Sequence, residues 1–125
     1  MERGRAPAGR LTDRVTIERP DGPTARRAPG GQYQPDWVPV GDAWAAVDDG
    51  GGRDLWRARQ VQPDATHHVR LYRRPDVEAL GPDWRLTLTV LRGRLCSPRR
   101  VLNVVAAGVC DDDPNQLALV CVEAR

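Results

Sequence analysis

The chain has no lysine and no phenylalanine, and only one serine and one isoleucine among its 125 residues. All 19 basic residues are therefore arginine. Because lysine, phenylalanine and isoleucine codons are AT-rich, this composition is typical of a GC-rich genome, and arginine content alone is weak evidence for phosphate binding. The single serine, Ser97, lacks Gly-x-Ser-x-Gly surroundings, so we do not expect serine–histidine catalysis.

Long apolar runs are also missing. No stretch approaches the roughly 20 residues that cross a bilayer, and the first ten residues contain no apolar segment typical of a secretory signal. We expect no membrane contact and a soluble protein made in the cytoplasm. The length fits one domain.

The net charge of +2 lies wholly in residues 1–10, where Arg3, Arg5 and Arg10 outnumber Glu2. The remaining chain is neutral, unlike most chain-wide nucleic-acid-binding surfaces. We expect residues 1–10 to form a flexible basic arm that docks on a neighbouring protein, and residues 11–125 to form the folded domain.

Cysteine and histidine do not indicate a cofactor or metal. Cys96, Cys110 and Cys121 show no CxxC spacing, so we interpret them as core residues. His67 and His68 are adjacent on a predicted strand and point to opposite faces, so one should pack and the other should be exposed. Asp111–Asp113 lacks EF-hand spacing and predicts a solvated acidic hairpin tip, which could face a basic patch on another copy.

Alternation of apolar and polar residues is the dominant pattern and predicts about six strands. In the clearest case Leu86, Leu88 and Val90 should face inward and Thr87 and Thr89 outward. The predicted strands begin near residue 11 and then cover residues 37–47, 67–73, 85–90, 101–109 and 116–123. An open sheet of this size would leave apolar edges exposed, so we predict a mainly β fold, a small antiparallel barrel.

A long loop should follow the second strand, over residues 48–63. Three glycines give its start unusual backbone freedom. Residues 53–60 suit two helical turns, capped by Asp49 or by the glycines, which makes at most one short helix in the chain.

Several motifs in order resemble the phage head–tail joining family, the head-closure or stopper proteins of long-tailed phages, prophages and gene transfer agents. The resemblance covers residues 10–124, and one departure is Leu95-Cys96-Ser97-Pro98 after the Gly93-Arg94 turn. The matching residues are Leu11, Arg14, Val15, Thr16, Ile17, Trp37, Val40, Trp44, Ala45, Val47, Gly52, Arg53, Ala58, Gln60, Thr66, His67, Val69, Arg70, Gly93, Arg94 and the ending Leu117–Glu123.

The resemblance implies a structural virion protein and no enzyme or cofactor. It implies a homo-oligomeric ring, sixfold or twelvefold, in the neck of the particle. The ring would close the DNA exit channel after packaging, with portal or adaptor proteins above and tail-terminator or tail-tube proteins below. Assembly would take place in the host cytoplasm.

Within that role the loop at residues 48–63 is the candidate channel or interface element. Its arginines could contact phosphates of packaged double-stranded DNA, or its tryptophan could anchor a protein contact. The candidate residues are Gly50, Gly51, Gly52, Arg53, Asp54, Trp56, Arg57 and Arg59. A small barrel that binds single-stranded nucleic acid is the alternative function, although six Trp and Tyr residues supply few stacking surfaces.

Overall fold

A computed structural model describes residues 11–21, 26–27, 33–34 and 36–124. Six strands close into an antiparallel barrel in the order β1-β4-β5-β8-β7-β6, and β2 pairs separately with β3. The predicted mainly β barrel with one short helix is confirmed. The elements are β1 Asp13–Pro20, β2 Arg26–Arg27, β3 Tyr33–Gln34, β4 Trp37–Asp48, α1 Arg53–Arg59, β5 His67–Tyr72, β6 Arg85–Leu91, β7 Arg94–Val109 and β8 Gln116–Glu123, with a 3-10 turn at Pro75–Val77.

Alternating side chains fill the barrel as the sequence predicts. Val15 and Ile17 of β1 are fully buried, as are Leu86 and Leu88 of β6. Cys121 of β8 is buried among them, and burial raises the pKa of its thiol to about 12. The thiol is therefore a small core side chain that stays protonated.

A tight turn joins β6 to β7. Leu91 pairs with Arg94, and the two residues between them, Arg92 and Gly93, have φ angles of 51° and 80°. Two consecutive residues with positive φ are typical of the type I′ hairpin turn. Strand β7 therefore begins at Arg94, and the predicted start at residue 101 was wrong.

The first half of β7 is an edge. Residues 94–100 lie before Leu102, where pairing with β8 begins in the described part of the chain. Proline has no N–H for a sheet ladder, but an edge needs none on its open side. The register with β6 also shifts here, from Leu95 to Arg100, so the residues between them have no ladder partner on β6 and Pro98 fits within the strand.

The prediction that Val90 faces inward was wrong, because a β-bulge lies between β1 and β6. The register between β1 and β6 shifts so that Val15 pairs with Leu88 while Arg14 pairs with Val90. Arg14 points away from the core, and Val90 faces the same way, whereas Leu91 packs against the core. The extra residue, Thr89, donates its hydroxyl to the Arg14 carbonyl at 3.1 Å.

Among the described residues, no helix has the length and apolar character needed to span a membrane. The predicted arm with Arg3, Arg5 and Arg10 lies outside the described residues.

Candidate functional site

The predicted loop contains an ordered helix that connects β4 to β5. Gly50, Gly51 and Gly52 lead into α1, and the remaining candidate residues, Arg53, Asp54, Trp56, Arg57 and Arg59, lie on it. The structure therefore brings all eight candidates onto one short element.

Asp48 fixes the start of this element. Its Oδ1 accepts the backbone N–H groups of Gly50 at 3.3 Å and Gly52 at 3.0 Å, and its Oδ2 accepts that of Leu55 at 3.1 Å. The first turn of a helix leaves such N–H groups without intrahelical partners. The Asp48 carboxylate accepts them here, which is the role that an N-cap side chain usually has. The sequence predicted a cap by Asp49 or by the glycines. Gly52 occupies the N-cap position, whereas Asp49 faces Arg92, a contact that lowers the pKa of Asp49.

Two further contacts hold α1 against the barrel. Leu55 is completely buried. At the other end of the helix, Arg59 donates from Nε to the carbonyl of the buried Ala65 at 2.9 Å. Arg59 thus contributes to the local fold through Nε while the residue remains exposed, and its role at an interface stays a prediction.

The side of α1 that faces β5 is polar. Asp54 lies 3.5 Å from Nη1 of Arg70 and 3.8 Å from Nδ1 of His68. His68 is buried, so the prediction that one histidine of the pair is exposed was wrong. The sequence could not show that a helix would cover the outer face of β5. Burial lowers the pKa of His68 and favours its neutral form.

Arg70 is a residue that sequence reasoning missed. Its Nε donates to Oε1 of Gln116 at 3.0 Å, and its Nη2 donates to Oδ1 of Asp112 at 2.7 Å. Asp112 belongs to the predicted acidic tip, and its pKa is lowered by this hydrogen bond. Arg70 thus links α1 to the turn between β7 and β8.

His67 faces the barrel interior near its end. Nη2 of Arg100 lies 3.2 Å from Nε2, and Thr66 Oγ1 lies 2.8 Å from Nδ1. These partners suit a neutral ring that accepts at Nε2 and donates from Nδ1, and burial lowers its pKa accordingly. Across the described ranges, no group of three or more His, Cys, Asp and Glu side chains is arranged to hold a metal ion.

The outward face of α1 is chemically different. Trp56 is 64% exposed, and together with Arg53, Arg57, Gly51 and Gly52 it lines an open depression of 440 Å³. The three nearby acids point elsewhere, because Asp48 caps the helix, Asp49 pairs with Arg92 and Asp54 faces Arg70. The outward face therefore combines an exposed indole with two arginines, and neither arginine forms an ion pair with any of these three acids.

Solved structures contain a related fold. The solution structure of protein SF1141 from Shigella flexneri 2a aligns with a TM-score of 0.58 and 22% sequence identity, over 95% of this chain and 97% of that one. This similarity concerns the fold. No curated protein matches the sequence.

Family membership follows from the sequence as a whole. The family model described as phage head completion protein matches residues 6–124, a range that includes every strand of the barrel and α1. That family is structural, and its members act in the virion together with other phage head and tail proteins. The chain belongs to the phage head completion protein family.

Proposed function

We propose that copies of this chain form a ring in the neck of a tailed phage particle, where the ring closes the DNA exit channel and provides a surface for tail attachment. The ring would contact portal or adaptor proteins on the head side and tail-terminator or tail-tube proteins on the other. The observation that carries the proposal is the outward face of α1, with Trp56 between Arg53 and Arg57 on a helix fixed to a closed barrel.

Rigidity supports this role. A channel constriction must keep its position against packaged DNA, and a glycine-rich loop alone would not. The Asp48 cap and the buried Leu55 supply that fixed position. A closed barrel also leaves few free strand edges, so contacts with neighbours can be confined to chosen surfaces.

Charge supports a contact with DNA at this face. Arg53 and Arg57 are exposed, and the acids closest in sequence have other partners, since Asp48 accepts N–H groups at the start of α1 and Asp54 faces Arg70. Contacts of arginine with phosphate are independent of base sequence and weaken with salt, as suits a channel that must hold any packaged genome.

The test is a phage or gene transfer agent whose own copy of this gene is deleted. We expect heads that lose DNA and do not join tails, and rescue by the wild-type chain. Arg57→Glu should rescue poorly, whereas Arg19→Glu, at an exposed arginine on the far end of β1, should rescue fully. Heads that retain DNA and accept tails without the protein would refute the role.

A photocrosslinking amino acid at position 56 distinguishes a contact of α1 with DNA from a contact with a head or tail protein. Attachment to DNA in filled particles supports a channel contact, and attachment to a head or tail protein supports a docking contact. Absence of crosslinks to either, in particles that contain the protein, contradicts the assignment of α1 as the contacting element.

The N-terminal arm remains part of this proposal. Arg3, Arg5 and Arg10 would dock on the adaptor or on a neighbouring copy, and the entropy lost on ordering the arm would be offset by these contacts. Unchanged ring assembly and head binding after deletion of residues 2–9 would contradict this part.

The alternative, a barrel that stacks single-stranded bases, has less support. An arginine already occupies one ring face of two tryptophans of the barrel wall, since the Cζ atoms of Arg14 and Arg85 lie 4.5 and 4.3 Å from the ring centroids of Trp44 and Trp37. Strong retention on single-stranded DNA at physiological salt would favour the alternative.

A further inference from the structure

A second depression lies between α1 and the turn that joins β7 to β8. Its volume is 480 Å³, and side chains of β5 and β8 line it between these two elements. Arg53 and Arg57 of α1 and Arg70 of β5 belong to its lining. Arg53 and Arg57 also line the depression beside Trp56, so the two depressions adjoin at these arginines. We call the depression of 480 Å³ the cleft.

A carboxylate of the protein itself occupies one of these arginines. Oδ1 of Asp112 accepts a hydrogen bond from Nη2 of Arg70 at 2.7 Å, and the pKa of Asp112 is lowered by this bond and by the charge of Arg57. The side chain of Arg70 is only 12% exposed, whereas that of Asp112 is 65% exposed. Ion pairs with a solvent-exposed partner are weak. Rotation of the Asp112 side chain into solvent therefore frees Nη2 of Arg70 at a small cost.

The charge of the cleft depends on Asp112. Its lining includes three arginines and three aspartates, which are Arg53, Arg57, Arg70, Asp54, Asp111 and Asp112. With the Asp112 carboxylate turned outward, the arginines outnumber the remaining acids. Neither Arg53 nor Arg57 has an ion-pair partner within the ranges that the structure describes. Departure of one carboxylate thus turns a neutral cleft into a positive one.

We propose that the cleft is a binding site for a backbone phosphate of double-stranded DNA, and that Asp112 is the internal occupant which the phosphate replaces on Arg70. A phosphate presents oxygen acceptors to the planar donors of a guanidinium as a carboxylate does. Because Arg53 and Arg57 line both depressions, a DNA strand that contacts the outward face of α1 also passes the cleft. This continuity favours DNA over an acidic segment of a partner protein.

The inference rests on the proposed function and deepens it. It adds to the outward face of α1 a second phosphate contact, one that forms only when Asp112 is displaced. An internal competitor of this kind keeps the contact with DNA weak, as suits a genome that must later leave through the channel.

Two substitutions in the same turn test the role of Asp112. Asp112→Asn removes the carboxylate charge that pairs with Arg70 and preserves the shape of the side chain. Asp111→Asn is the matched control, because it removes the same charge from the adjacent exposed residue. Asp111 has no ion-pair partner in the described part of the chain. Thermal unfolding of each variant verifies that it is folded.

The measurement is fluorescence anisotropy of a labelled DNA duplex, titrated with the full chain at several salt concentrations. Wild type should bind weakly, with a Kd of about 100 μM. Asp112→Asn should bind about five-fold more tightly, the equilibrium equivalent of one weak ion pair. Asp111→Asn should gain less than about two-fold at 0.15 M salt, because exposed charges are largely screened.

The salt dependence separates a new phosphate contact from a general change of charge. In Asp112→Asn, Arg70 exchanges a salt ion for the phosphate, whereas in wild type it exchanges the Asp112 carboxylate. The slope of the logarithm of affinity against the logarithm of salt concentration should therefore become steeper by about 0.9, the value for one phosphate. The slope for Asp111→Asn should equal that of wild type.

Arg70→Gln in the Asp112→Asn chain identifies the arginine. Affinity for the duplex should return to the wild-type value, and an affinity that stays high in the folded double variant would overturn the proposal. If the double variant does not fold, the two single variants still decide. Equal affinities and slopes of Asp112→Asn and Asp111→Asn overturn the phosphate site, and this is also the result if an acidic protein segment fills the cleft. The proposed function would survive that result, since gene deletion and crosslinking at position 56 test it in the particle.

Discussion

The side chain of Asp13 on β1 accepts the backbone N–H of Arg92 in the β6–β7 turn, with 2.8 Å between Oδ1 and the amide nitrogen. Its other oxygen, Oδ2, accepts the N–H of Val47 at 2.9 Å, near the end of β4. Asp13 is only 4% exposed. One buried carboxylate thus joins the strand that leads into α1 to the hairpin that carries Leu95.

Removing this carboxylate should be costly. In Asp13→Ala both N–H groups lose their partner at partly buried positions, and each unsatisfied donor costs about 1–3 kcal/mol. We expect the free energy of unfolding in urea to fall by about 3 kcal/mol. Thr12→Ala, at the exposed neighbouring residue, should change it by less than about 0.5 kcal/mol. Equal effects of the two substitutions would show that the Asp13 contacts are not the cause.

The three glycines before α1 should differ in importance. A Cβ at Gly52 would lie 2.6 Å from Cγ of Asp48, whereas a Cβ at Gly51 meets nothing within 4 Å. Gly52→Ala should displace the Asp48 cap, lower the free energy of unfolding by about 1–2 kcal/mol and speed trypsin cleavage at Arg53 and Arg57. Gly51→Ala should have neither effect. Identical digestion of the two variants would contradict the role of the cap.

Arg70 should be difficult to replace even by lysine. Its guanidinium reaches Asp54, Gln116 and Asp112 with three different nitrogens. A single ammonium does not span these acceptors. We expect Arg70→Lys to cost nearly as much as Arg70→Ala, about 2 kcal/mol, a value between those of an exposed and a buried pair because Arg70 is largely buried while Asp112 is solvent-exposed. Full stability in Arg70→Lys would show that charge alone suffices.

Acid should destabilise the protein through its histidines. Burial holds the pKa values of His67 and His68 below their ordinary value, while in the unfolded chain both return to about 6.5. The unfolded state then binds more protons as the pH falls below that value, so stability is present above it and is lost on acidification. Each histidine contributes at most about 1.4 kcal/mol per pH unit.

The corresponding measurement is urea unfolding of wild type and His68→Gln at several pH values from neutral to mildly acidic. The variant should lose less stability over this range than wild type, since one of the two titrating groups is gone. Asp54 opposes the effect of burial at His68, so Asp54→Asn should increase the acid sensitivity. A pH profile unchanged by His68→Gln would contradict the burial argument.

The sequence determined where most strands lie and which side chains enter the core. Alternation with a period of two is a local property of extended chain, so Val15 and Ile17, or Leu86 and Leu88, were assigned to the interior correctly. The short helix and the turn at Gly93 followed equally from local residue preferences. The motifs in the sequence also sufficed to identify the family.

The tertiary structure decided everything that depends on distant partners. Strand β7 starts at Arg94 because β6 is present to pair with it, and Val90 turns outward because the register with β1 shifts. His68 is buried because α1 folds over β5, and Arg70 meets an aspartate 42 residues away. Local preference has no information on such contacts, since their energies arise only when separate segments are brought together by the closed barrel.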